Sequence, residues 1–120
     1  MSDQRRSNSE IDQVIATYRD SPELLSEIFA IFLDEAPQRL QALQQAVAQR
    51  DFDSARRAAH SLANTTGTLR ADEALKAARA AESAARSADG AGLKQAVSKL
   101  VQSVGEVVAA IEAYRSGAVD

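Results

Sequence analysis

The sequence predicts an all-α protein, built as an up-down antiparallel four-helix bundle with a short extra N-terminal helix. Helix-favouring residues dominate the composition, while glycine, proline and aromatic residues are scarce. Apolar residues recur at steps of three and four along most of the chain, which is the period of an amphipathic helix. The breaks between these stretches are short, so consecutive helices are expected to lie antiparallel. The length of 120 residues fits one domain.

The N-terminal region divides into an arm and the beginning of the domain. We expect residues 1–9 to form a flexible arm and residues 10–116 to form the helical domain. A first amphipathic stretch covers about Glu10–Arg19, with four apolar side chains on one side: Ile11, Val14, Ile15 and Tyr18.

The first long helix is predicted to begin at Ser21-Pro22-Glu23. Ser21 is a candidate N-cap, and proline suits the first helical position. The apolar stripe continues across Pro37 without a phase break, which favours one helix to about Gln49, kinked at the proline. Two separate helices are the alternative. The stripe consists of Leu25, Phe29, Phe32, Ala36, Leu40, Leu43 and Val47.

Three more helices follow. Asp51 or Asp53 is expected to cap a helix that runs to about Leu69, and Ala71-Asp72 restarts the chain into an alanine-rich helix to about Ala88. The segment 89–92, Asp-Gly-Ala-Gly, is the clearest break in the sequence. The last helix has the most regular apolar stripe, with steps that alternate between four and three: Leu93, Val97, Leu100, Val104, Val107, Ile111 and Tyr114.

Composition excludes or disfavours several classes of protein. The absence of cysteine excludes disulfides and thiolate metal sites. Charges interrupt every apolar stretch and no secretory signal opens the chain, so we expect a cytoplasmic protein that does not enter a membrane. A net charge of −3 argues against nucleic-acid binding. Because the sequence has no phosphate-binding glycine loop and no cluster of metal ligands, we expect no cofactor. The initiating Met1 favours a free-standing protein.

The single histidine, His60, lies in the third long helix, on the face opposite the buried stripe. On a wheel of roughly 100° per residue, six residues face the core: Ala55, Ala58, Ala59, Leu62, Thr66 and Leu69. Six others lie within roughly 60° of the histidine: Asp53, Arg56, Arg57, Ala63, Asn64 and Gly67. This placement disfavours a core histidine, although a surface histidine without a role remains an alternative.

The residues around His60 suit an approach by another protein. Ala63, Asn64 and Gly67 are small, so we expect the imidazole to stand above a shallow surface. A glycine inside a helix costs about 1 kcal/mol relative to alanine, so Gly67 indicates a need for space there. Close packing between helices is the alternative explanation.

The segment 56–71 resembles the signature of histidine-containing phosphotransfer (HPt) domains. Six residues match it in register: Ala59, His60, Ser61, Leu62, Leu69 and Ala71. Residues 21–40 are similar to the long kinked helix that precedes the histidine helix in that family, and Glu82 fits an acidic residue of the following helix. Three positions depart from the pattern: Ala63 replaces a lysine, Asn64 a glycine or serine, and Arg70 a glycine.

The resemblance implies a function for His60. It implies a phosphoacceptor that takes a phosphoryl group from an aspartyl phosphate of a receiver domain and passes it to another receiver aspartate. The implied partners are response-regulator receiver domains, which supply Mg²⁺, and a hybrid sensor kinase, with the chain itself a monomer. Arg56, Arg57 or the Asn64 amide are candidates to replace the missing lysine at the phosphoryl group.

Three other functions fit less of the sequence. The departures leave open a degenerate module of the same fold, which binds receivers or kinases without efficient transfer. The dimerisation domain of sensor kinases also presents a histidine on a helical bundle, but segment 60–65 matches its pattern only at His60, Leu62 and Asn64. A plain helical adaptor that binds another protein through an apolar groove is the remaining alternative.

Overall fold

The computed structural model describes residues 11–117, and these form helices joined by short turns with no strand among them. A short helix, α1, covers residues 11–17. Four longer helices follow: α2 (Pro22–Ala48), α3 (Phe52–Thr68), α4 (Asp72–Arg86) and α5 (Gly90–Arg115). The all-helical bundle with an extra N-terminal helix is therefore confirmed. The predicted arm, residues 1–9, lies outside the described residues, as does Glu10.

Helix α2 runs without interruption through Pro37, so the alternative of two separate helices is wrong. The bend at Pro37 stays a prediction. At the start of the helix, Pro22 occupies the first turn as expected, but the Ser21 side chain makes no capping hydrogen bond. The reason lies in the backbone, because the ψ angle of Ser21 is 65°, short of the extended conformation that capping residues normally adopt.

Each of the three turns between the long helices has three residues, and the middle one is left-handed. The φ angles are 56° for Arg50, 54° for Arg70 and 56° for Ala88. After each of these residues, a backbone N–H donates five residues back to a carbonyl of the preceding helix, as in Asp51 N to Ala46 O at 2.9 Å. This is the Schellman motif, which usually has glycine at the left-handed position. The tight turns make consecutive helices antiparallel.

Aspartates are the N-cap residues of two helices, Asp51 of α3 and Asp89 of α5. Asp51 accepts a hydrogen bond from the Ser54 backbone N–H at 3.1 Å and another from the Ser54 hydroxyl at 2.7 Å. Both hydrogen bonds lower the pKa of Asp51, and the bond from the Ser54 hydroxyl has the larger effect. Asp89 caps α5 through the backbone N–H of Gly92. The predicted break over residues 89–92 is therefore too long, because Gly90–Gly92 already belong to the first turn of α5.

The core lies between four helices that contact in a ring, α2 with α3, α3 with α4, α4 with α5, and α5 with α2. The predicted stripe of α5 is buried from Leu93 to Ile111, while Tyr114 is partly exposed and meets the Phe29 ring edge-on at 5.6 Å. Helix α4 contributes only alanines to the buried set: Ala74, Ala77, Ala78, Ala81 and Ala85. Within residues 11–117, no helix is long and apolar enough to cross a membrane.

Candidate functional site

His60 projects from the exposed side of α3, at the middle of the helix. Its side chain is 59% exposed. Of the six residues that the wheel places on the core side, Ala58 is half-buried and the other five are buried. The sequence prediction that His60 points away from the core is therefore confirmed.

A carboxylate of the neighbouring helix holds one nitrogen of the His60 ring. The distance from His60 Nδ1 to Glu82 Oε2 on α4 is 3.0 Å. The Glu82 side chain is only 16% exposed, whereas the His60 ring is open to water. An ionised carboxylate can only accept a hydrogen bond, so this contact favours the tautomer of the neutral ring in which Nδ1 carries the proton and donates it to Glu82. In that tautomer Nε2, the other ring nitrogen, keeps its lone pair and can act as a nucleophile.

Arg86 is a third member of this arrangement. Its Nη2 atom lies 3.2 Å from Glu82 Oε2, the same oxygen that His60 contacts, and its side chain is 65% exposed. A cation thus stands beside the imidazole at the surface. Arg86 was not among the site residues predicted from the sequence. The available signal was its spacing of four residues from Glu82, which puts the two side chains on one helix face.

Arg56 and Arg57 lie on the face of His60, as predicted, but both are engaged elsewhere. Arg56 Nη2 lies 3.2 Å from Asp53 Oδ1, and Arg57 Nη2 lies 3.4 Å from Asp53 Oδ2. Arg57 also donates to the Ser54 hydroxyl at 3.5 Å. Both guanidinium groups are therefore paired toward the N-terminus of α3, whereas the guanidinium group of Arg86 shares a carboxylate oxygen with His60.

The three small residues near His60 do not form one exposed surface, which corrects the sequence prediction. Ala63 is 9% exposed and belongs to the core, because it lies on the edge of the helix that α4 covers. Gly67 is half-buried, and a Cβ atom placed on it would lie 3.8 Å from Leu75 Cδ1 of α4. Asn64 alone is exposed, on the opposite side toward α2.

An apolar groove between α2 and α3 begins at Asn64, one turn after His60. Its volume is about 240 Å³. Ile31, on the outer side of α2, is 50% exposed there, and Leu24 on the same helix is 44% exposed. This surface was not predicted from the sequence. Its signal was the spacing of Leu24, Ile28 and Ile31 by four and three residues, which places a second apolar stripe on α2 beside the one that faces the core. The groove is lined by Ile28, Ile31, Phe32, Glu35, Asn64, Thr65, Thr68 and Leu69.

Metal binding finds no support in the described part of the chain. Residues 11–117 contain no group of three or more histidine, cysteine, aspartate or glutamate side chains placed to hold a metal ion. The chemistry that this site offers is that of one imidazole nitrogen, backed by a carboxylate and a guanidinium group.

Comparison with known proteins identifies one family. The family model described as "Hpt domain" matches residues 27–117, which is most of the chain and includes α3, α4 and α5. No curated protein and no solved structure matches the chain significantly.

Proposed function

The chain belongs to the Hpt domain family, and from this premise we propose that Nε2 of His60 is the phosphoacceptor of a phosphorelay. The family match supports a histidine phosphotransfer role. The observation that carries the assignment to this atom is the hydrogen bond from His60 Nδ1 to Glu82, at 3.0 Å. It leaves an unprotonated nitrogen on a ring that is 59% exposed, within reach of a second protein.

The proposed step transfers one phosphoryl group and no proton. The Nε2 lone pair attacks phosphorus of an aspartyl phosphate on a receiver domain, and an N–P bond forms. The P–O bond to the aspartate breaks, and the carboxylate leaves with the electron pair. The proton stays on Nδ1 of His60, so the ring gains positive charge. Glu82 accepts the hydrogen bond from Nδ1 throughout and stabilises that charge. The reverse of this step passes the group to the aspartate of a second receiver.

A nucleophile on His60 and an orienting carboxylate on Glu82 suit phosphoryl transfer, because that reaction depends mainly on positioning and on neutralising charge. His60 stands on a rigid helix, and Glu82 fixes the orientation of its ring from the adjacent helix. The receiver is expected to supply Mg²⁺ at its own aspartate. Arg86, held on Glu82, is one cation available to the oxygens of the phosphoryl group.

We also propose that the receiver docks on the groove between α2 and α3. The groove begins one turn from His60, so a protein seated in it would reach the imidazole. Its apolar lining and the exposed Ile31 provide area to bury on binding, which is the main favourable term in protein association. Members of the family interact with receiver domains and kinases in two-component signalling.

Transfer from a phosphorylated receiver tests the acceptor. The chain is incubated with a labelled receiver, and acid-labile phosphoryl label is measured on the chain. Because His60 is the only histidine, we expect label on the wild type and none on His60→Gln. A wild type that binds receivers but takes no label from any of them would refute the proposal and favour a degenerate interaction module.

A pair of substitutions tests the docking surface. Ile31→Asp places a charge in the groove, and Val101→Asp places one on α5 at a comparably exposed apolar residue. Losing one good apolar anchor at an interface costs roughly ten-fold in affinity. We expect that loss for Ile31→Asp, measured by titration with a receiver, and little change for Val101→Asp. Equal effects of the two substitutions would contradict docking in the groove.

A further inference from the structure

Asp53 lies two helical turns before His60 on the same face of α3. The separation of seven residue positions corresponds to about 10.5 Å along the helix axis. Arg56 stands between the two, three residues after Asp53 and four before His60, and side chains at both spacings are neighbours on a helix surface. Arg56 can therefore pair with a group at either residue.

In the unphosphorylated protein Arg56 pairs with Asp53. Its Nη2 atom lies 3.2 Å from Asp53 Oδ1. Arg57 has one contact more, because besides Asp53 at 3.4 Å it reaches the hydroxyl of Ser54 at 3.5 Å. Ser54 is tied in turn to the capping carboxylate of Asp51. Of the two arginines, Arg56 is thus the one that can change partner at little cost.

We propose that Asp53 is a latch for Arg56, which it holds while His60 is unphosphorylated and releases to the phosphoryl group when one arrives. This inference rests on the proposed function of His60. The released arginine would then stabilise the phosphorylated form, and Asp53 would tune how long that form holds the group before passing it on.

Three physical arguments support the exchange. Side chains on a helix lean toward its N-terminus, which favours the pair with Asp53 at rest. Exposed ion pairs are weak, and the Asp53 side chain is 66% exposed, so release costs little. A phosphoryl group carries nearly two negative charges and three acceptor oxygens, so it attracts a guanidinium group more strongly than one carboxylate does.

The test is a double-mutant cycle on the transfer equilibrium between the chain and a phosphorylated receiver. Asp53→Asn frees Arg56, and we expect it to raise the equilibrium constant for label on the chain by about two- to five-fold, the range that corresponds to an exposed ion pair. In an Arg56→Gln background, Asp53→Asn should have no effect. Glu23→Gln, which removes another first-turn carboxylate on α2, is the matched control and should change nothing. The effect of Asp53→Asn should shrink at high salt.

Two results would overturn the latch. One is an unchanged equilibrium for Asp53→Asn, and the other is the same shift with and without Arg56. If no receiver transfers label to the wild type, the proposed function fails, and the latch is tested separately with phosphoramidate, a chemical donor to imidazole. The Nε–H signal of Arg56 in NMR spectra should then move on phosphorylation of His60 in the wild type. An unmoved signal would refute the latch whatever the receivers do.

Discussion

Removing the Glu82 carboxylate should slow phosphoryl transfer to His60 without unfolding the protein. Glu82→Ala deletes the acceptor that holds Nδ1, so the ring can rotate and either nitrogen can carry the proton. Glu82→Gln keeps one acceptor oxygen at the same length of side chain, removes the charge and replaces the other oxygen with an NH2 group. The two substitutions separate the orientation of the ring from the stabilisation of its positive charge.

The expected size of the effect follows from the environment of the hydrogen bond. A hydrogen bond to a charged group contributes about 1.5–3 kcal/mol. The Glu82 side chain is 16% exposed but that of His60 is 59% exposed, so water competes and the lower end of the range applies. A loss of about 1.4 kcal/mol in the transition state slows a reaction ten-fold. We therefore expect a roughly ten-fold slower transfer for Glu82→Ala and a smaller loss for Glu82→Gln.

The assay is the single-turnover rate of transfer from a phosphorylated receiver, with circular dichroism to check the fold. Nitrogen-15 NMR of the His60 ring reports which nitrogen carries the proton, and in Glu82→Ala the population protonated at Nδ1 should fall. Glu112→Gln removes a charge from an exposed residue of α5 and should leave both readouts unchanged. Transfer at the wild-type rate by Glu82→Ala would refute the orienting role of Glu82.

Three further predictions concern stability, each measured by thermal or urea unfolding. Arg70→Gly should stabilise the protein by about 0.5–1 kcal/mol, because Arg70 is left-handed and glycine adopts that conformation without strain; a loss of stability would contradict this account of the turn. Gly67→Ala should also stabilise, by about 1 kcal/mol, since a Cβ atom there meets Leu75 at an ordinary 3.8 Å, and destabilisation would show that α4 cannot accept the methyl group. Asp51→Ala should lower the melting temperature at neutral pH. The hydrogen bond from the Ser54 hydroxyl lowers the pKa of Asp51 below 3.8 in the folded state, so its stabilisation is present above that pH and is lost as the pH falls through the lowered value. If Asp51→Ala still had a lower melting temperature than the wild type in strong acid, the stabilisation would not come from the ionised carboxylate of Asp51.

The fold was largely predictable because apolar spacing and turn residues are local signals. The stripe from Leu93 to Ile111 specified both the length of α5 and its buried face. The errors lie at helix ends, where backbone angles decide. Ser21 has the residue type of a cap but not the backbone angles, and the glycines after Asp89 enter the helix that they were expected to precede.

The site was predictable only in the part that one helix determines. A wheel of α3 places His60 correctly, but it treats both flanks of the histidine as open surface. In the bundle, α4 covers one flank, which buries Ala63 and brings Glu82 to the ring. Contacts between helices depend on how the helices pack, so the apolar spacing could not pair Glu82 with His60, and only the family resemblance singled out Glu82. The ion pair between Arg56 and Asp53, in contrast, lies within one helix. It could have been predicted from the sequence, because residues three apart are neighbours on a helix surface.

The departures from the family pattern affect different properties of the protein. Arg70 lies at the left-handed position after α3, where the backbone conformation favours glycine. The arginine in place of the family's glycine therefore affects the stability of the turn and not the chemistry of the site. Ala63 is different, because a lysine at that position would bring a cation to the phosphoryl group. Arg86 already stands on Glu82, the carboxylate that His60 contacts, and reaches the site from α4 instead of α3. A cation anchored in this way is tied to the group that orients the nucleophile, so the loss of the lysine need not remove positive charge from the site.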